Sequence, residues 1–218
     1  MPVTWFFRGR ERRSALAPQV HLRYFPLAMS VSGERFLRFR CTGCGNCCKE
    51  PLLPLTDGDI RRIQERTGDS VNDIVRWVDR NGIEMDDEPE AFVVLRQGKR
   101  VMVLAHERGA CRYLGSDNRC GIYESRPLGC RIYPFDPTFT KKGKLKHLTI
   151  VEATECPYEL DGSNDPDEIK DLHGRYAQAH EDFNEKIAEW NRAQAKKKRA
   201  GKSAGSSTEF IQFLGLAP

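Results

Sequence analysis

What this 218-residue chain lacks narrows its class first. No stretch approaches the ~18 consecutive apolar residues of a membrane span, so no membrane partner is expected. The opening "MPVTWFFRGRERRSALAP" has no continuous apolar h-region and does not read as a secretory signal. Its arginines give it a faint transit-peptide character, against which stand Glu11 and the missing amphipathic face. Met29 offers an alternative start just ahead of the cysteine motif. A cytoplasmic location, with reduced thiols, is the expectation. No G-x-G-x-x-G loop, P-loop or acid–base pair anchors a reaction in the sequence. Apolar residues are also scarce, at 39% against 30% charged with a mean hydropathy of -0.60. Such a chain supports a modest core, and metal crosslinks would help it fold. A net charge of +4 is too diffuse to argue for nucleic acid, and the lysine run at 196–199 reads as solvated.

Cysteine, by contrast, is plentiful. Four of the eight thiols fall in "CTGCGNCC", as Cys41, Cys44, Cys47 and Cys48; the others are Cys111, Cys120, Cys130 and Cys156. Steps of three let Cys41, Cys44 and Cys47 face one centre, with Gly43 and Gly45 allowing a tight turn. Cys48 diverges from its neighbour and is expected to serve a second centre. Eight thiols suit two four-coordinate centres, and Cys156-Pro157 is a C–P pair of the kind that completes ferredoxin ligation. Disulfides fit poorly without an export signal and with a vicinal pair. A nucleophilic cysteine needs a base, and His106, the nearest histidine in sequence, has no supporting signature. His21, His106, His147, His173 and His180 read as surface or structural residues. Thiolate-rich metal sites carry negative charge that needs donors around it. Lys49, Arg112, Arg119, Arg126 and Arg131 lie within a few residues of a cysteine. Arg126 and Arg131 are the candidates for this supporting role, Arg131 foremost.

The pattern along the chain predicts an α+β fold: a small irregular metal-stapled domain with short helices and a small antiparallel sheet, plus a long C-terminal helix. Residues 1–34 form an N-terminal arm, 35–160 the cysteine-cluster domain, 161–195 the long helix, and 196–218 a flexible basic linker with an apolar tail. A short strand is expected at 35–41. Helices are expected at 56–68, capped by Thr56 and Asp59, and at 70–82, capped by Ser70. A hairpin spans 92–105 with its turn at Gln97-Gly98. A short helix starts near Ser125 with Pro127 in its first turn, and a strand follows at 144–154. The stripe Leu172, Tyr176, Phe183, Ile187 and Trp190 marks the long helix as docked on the core. The tail "FIQFLGLAP" either folds back or meets a partner.

Taken together, "CTGCGNCC", "LTDGDIRRI" and "GACRYLGSDNRCGIYESRPLGCRIYPF" resemble the CxxCxxCC family of zinc- or iron-chelating cysteine-cluster proteins, over residues 39–157. The resemblance implies a small metal-binding domain and supplies no reaction. The three-thiol loop suits three corners of an iron–sulfur cubane and favours that cofactor. The even thiol count and lean core favour zinc. Three roles follow. The centres could serve an iron–sulfur oxidoreductase or a protein-modifying enzyme. They could instead staple an interaction module that offers its C-terminal helix or tail to a protein partner. In a metal-delivery protein, Cys47 and Cys48 would pass an ion between sites.

Overall fold

A computed structural model describes residues 33–49, 52–83, 85, 88–151 and 156–217. Most of the N-terminal arm, including Met29, lies outside these residues. Helix α1 (Asp57–Thr67) begins with the expected reciprocal cap. The Asp59 N–H donates to Thr56 Oγ1 and the Thr56 N–H donates to Asp59. Its two isoleucines, Ile60 and Ile63, are completely buried. The next helix is shorter than expected. Ser70 caps a single turn, α2 (Val71–Ile74), and the chain then extends as β1 (Val75–Asp79). The reason is tertiary: Val75, Trp77 and Val78 favour strands and pair antiparallel with Leu104, Met102 and Val101.

The hairpin forms as expected from β2 (Val93–Leu95) and β3 (Gly98–Leu104), giving a sheet of order β1-β3-β2. β3 ends in four buried residues because its two faces meet different cores. Met102 and Leu104 enter the main core, while Val101 and Val103 pack with Ile83, Met85 and Phe92. The edge strand β2 would leave unpaired backbone groups, which invite association. Helix α4 (Pro166–Arg199) covers that edge. Asn191 accepts from the Val94 N–H at 2.7 Å and donates to Phe92 O, and Trp190 Nε1 donates to Val94 O at 2.8 Å.

Residues 196–199, expected to begin a flexible linker, continue α4 to its end at Arg199. A turn then leads into α5 (Ser207–Phe213), capped reciprocally by Ser206 and Glu209. The apolar tail folds back. Phe210, Ile211, Leu214 and Leu216 are buried in the main core, and Phe210 meets Trp77, Phe183, Trp190 and Phe213 ring to ring. This consumes most of the apolar surface that a partner could have used.

A second hairpin joins β6 (Phe135–Phe139) to β7 (Leu145–Ile150), so the strand expected at 144–154 has a partner that sequence patterning missed. Residues 152–154 of that expected strand lie outside the described residues. Residues 35–41, expected as a strand, instead form a 3-10 helix (Glu34–Arg38) followed by an isolated bridge at Arg40. Phe36 and Phe39 are three apart, and that spacing turns both onto one face. Both are buried with Ile132, Phe135, Leu148 and Ile169. Among the described residues, no helix is long and apolar enough to cross a membrane.

Candidate metal centre

Three loops and one short helix carry the cysteines. In the first loop, Gly43 and Gly45 both adopt left-handed backbone conformations, φ 71° and 73°, which β-carbon-bearing residues resist. The first turn aims the Gly43 N–H at Cys41 Sγ, 3.4 Å away. The second leads into a single 3-10 turn (Asn46–Cys48). The second loop starts from the small ladder of β4 (His106–Glu107) and β5 (Ala110–Cys111). It closes through a bridge between Leu114 and Cys120 and through the Gly121 N–H donating to Tyr113 O, which brings its two cysteines to one neck.

Cys130 rides on α3 (Leu128–Ile132), a helix too short to hold its own position. Asp59, almost fully buried, anchors it. One carboxylate accepts from Thr56, Arg62 and the Leu128 N–H at 2.9 Å, so the cap of α1 also fixes the start of α3. Cys156 reaches the first loop by a separate route. Arg40 and Glu159 exchange backbone hydrogen bonds, Thr42 Oγ1 donates to Pro157 O at 2.6 Å, and Arg40 pairs with Asp161.

The thiols act on one another in two sets. Burial raises the Cys130 thiol pKa, and nearby Cys111, Cys47 and Cys120 raise it further. Burial likewise raises Cys111, with Cys120 and Cys47 adding to it and the Tyr113 backbone N–H opposing. Cys47 is raised chiefly by a hydrogen bond with Cys48, then by burial. Cys156 belongs to the other set: burial pushes it up to about 11, with Cys44 and Cys41 next in effect and a smaller contribution from Cys47. Thus Cys47, Cys111, Cys120 and Cys130 form one neighbourhood, with Cys48 beside it. Cys41, Cys44 and Cys156 form another, and Cys47 stands between the two.

Cations approach these thiols unevenly. Arg126 lowers the thiol pKa of both Cys47 and Cys130, while its Nε donates to Tyr123 O and its guanidinium lies 3.7 Å from the Tyr123 ring centre. Arg131 donates to Glu124 O. Its pKa is lowered by burial and then by the charges of Arg62, Arg126 and Arg175. Arg112 lies among Asp69, Asp73 and Glu107, Arg119 beside Asp117, and Lys49 is exposed.

A cavity of about 500 Å3 opens between the loops, with Cys41, Cys47, Cys48, Cys111, Cys120 and Cys130 in its wall. It keeps Cys130 partly accessible even though that residue lies deep. His106 also lines it, a placement its sequence context did not signal. Arg62 and Asp59 were missed as neighbours of the site; their i, i+3 spacing on a capped helix was the available signal. Among the described residues, no three cysteine, histidine, aspartate or glutamate groups are already gathered as ligands of a single metal ion. The donor set is nevertheless dominated by sulfur, which suits zinc, iron–sulfur and other soft centres.

Eight free thiols carried on short loops beside a small sheet core define a sulfur-rich candidate metal-binding domain. The chain is a member of the CxxCxxCC family, described as "Putative zinc- or iron-chelating domain", whose model matches residues 40–157. Comparison with curated proteins and with solved structures yields no match.

Proposed function

We propose that this chain carries two adjacent cysteine-thiolate centres, and that the inner one is an iron–sulfur cluster. Cys47, Cys111, Cys120 and Cys130 would hold the inner centre. Cys41, Cys44 and Cys156 would hold the outer one, with Cys48 reaching toward the inner. The observation that carries this reading is that Cys47, Cys111, Cys120 and Cys130 all line one cavity, from whose wall Cys44 and Cys156 are absent. A single zinc ion draws four sulfurs to ~2.3 Å from its centre, whereas these thiols line a space of about 500 Å3. Among the described residues no three of these thiols are gathered as the ligands of one ion, and that wider spacing favours a polynuclear core. When bound, an iron–sulfur cluster supplies one-electron redox chemistry whose potential depends on charge, hydrogen bonding and solvent access.

The chain's own groups supply those conditions. The Tyr113 backbone N–H donates to the Cys111 thiol, Arg126 offers positive charge beside Cys47 and Cys130, and burial keeps water from Cys111. The test is a visible spectrum with iron, acid-labile sulfide and zinc analysis, on protein purified without oxygen and without a metal-leaching resin. Absorption near ~400 nm with iron and sulfide is expected. Colourless protein holding only zinc would overturn the iron–sulfur reading. Metal-free protein with paired thiols would overturn the metal reading as a whole.

A further inference from the structure

We propose that Arg62, Arg126 and Arg131 form a binding site for an oxyanion, the carboxylate or phosphate group of a ligand that extends into the neighbouring cavity. All three guanidinium groups hang from one short turn. Arg126 Nε donates to Tyr123 O at 2.9 Å, Arg131 Nη2 donates to Glu124 O, and Arg62 Nη2 donates to Arg126 O at 3.3 Å. Each is therefore held by one edge, with other N–H groups left over.

Two of the remaining donors are conspicuous. The Nε–H groups of Arg62 and Arg131 are shut off from solvent and meet no acceptor among the described residues. Buried donors are nearly always paired, because leaving one unmade forfeits its hydration. The local charge points the same way. Asp59 is the carboxylate in contact with Arg62, and it already accepts from Thr56 and Leu128. Arg175 farther along α4 pairs with Asp171.

The thiolates do not account for all of this cation. Arg126 lines the cavity and faces Cys47 and Cys130. Arg62 and Arg131 are absent from that lining. A planar guanidinium fork matches carboxylate and phosphate oxygens, and lysine does not reproduce it. Arg126 lines the cavity, so an anion held against its guanidinium has room for its remainder among Leu53, Ile122 and Ile132. The site uses no thiol and stands whether or not the metal reading holds.

The experiment is a calorimetric titration of the full-length protein as isolated, at low ionic strength. Inorganic phosphate and acetate are the probes, sodium chloride is the control, and metal content is measured on the same samples. Saturable binding of phosphate or acetate, but not of chloride, is expected, and the tighter of the two names the ligand's group. Arg62→Lys and Arg131→Lys keep the charge but lose the fork, and each should weaken binding about ten-fold or more with metal content unchanged. Arg192→Lys, at an exposed position of α4, should leave it unchanged. No saturable binding by the wild type overturns the proposal, and so does binding that neither Arg62→Lys nor Arg131→Lys weakens. The wild-type titration decides even if a variant fails to fold.

Discussion

The sheet with its two C-terminal helices and the thiol-bearing loops are held together to different degrees by burial. Around β1-β3-β2, α4 and α5, order comes from burial: Met102, Ile187 and Phe210 are within 1% of complete exclusion from solvent. Around the cysteines, Cys111 and Ile122 reach the edge of that core and Cys48, Tyr113 and Cys120 pack against it, while the loops between them depend on isolated hydrogen bonds. A bridge at Leu114 and Cys120, another at Arg40 and Glu159, and the Asp59 carboxylate do most of the holding. The difference teaches where a metal matters. A region with a core stands without one, whereas a region of loops around six cavity-lining thiols gains its closure from whatever the thiols bind.

Metal removal should break the comparison most visibly. Chelation under reducing conditions is expected to speed amide exchange at Gly121, Leu114 and Cys48, whose N–H bonds lie in the thiol loops. Exchange in β3 should hold near its original rate, because its pairing with β1 rests on buried side chains. Equal loosening of both regions would contradict the distinction. Next in size is the converse experiment. Phe210→Ala removes a fully buried ring and should cost about 3–5 kcal/mol in denaturant unfolding. Metal bound per folded chain should stay the same.

The seam between the regions offers a smaller, pH-dependent effect. His180 on α4 is buried against the Tyr176 ring, 4.5 Å between centres. Burial depresses its pKa from the ordinary 6.5 to about 4, with Asp59 partly opposing. In the unfolded chain the imidazole takes up a proton near pH 6.5, while in the folded protein it does so only near pH 4. Its contribution is therefore complete above pH 6.5 and is lost as pH falls through that window, on the order of 3 kcal/mol in all. Unfolding curves between pH 7 and 4 should show this slope in the wild type and a shallower one in His180→Phe. Identical slopes would remove His180 from the account.

Local chemistry was legible in the sequence, and decisions made at long range were not. The caps at Thr56, Ser70 and Gly68 were readable because each is settled within four residues. The stripe through Phe183, Ile187 and Trp190 was readable for the same reason. Residues 75–79 carry a helical stripe as well, and only pairing with β3 makes them a strand. The lysine-rich stretch gave no hint that Lys197 would lie near Trp190 and Glu209, with the tail folded into the core behind it. The candidate site divides likewise. The eight cysteines were evident, but their grouping was not, because Cys156 joins Cys41 and Cys44 through the pairing of Arg40 with Glu159, more than a hundred residues apart. Arg126 stands beside thiols where Arg131, adjacent to Cys130 in sequence, turns toward Glu124. Neighbours along a short helix point in different directions.

The division of the thiols is the central claim, and metal content in two single variants tests it most directly. Cys130→Ser and Cys156→Ser should each lose one centre's share of bound metal and keep the other's, and the double variant should bind almost none. If either single change empties the protein, or neither lowers its metal content, the thiols do not form two centres.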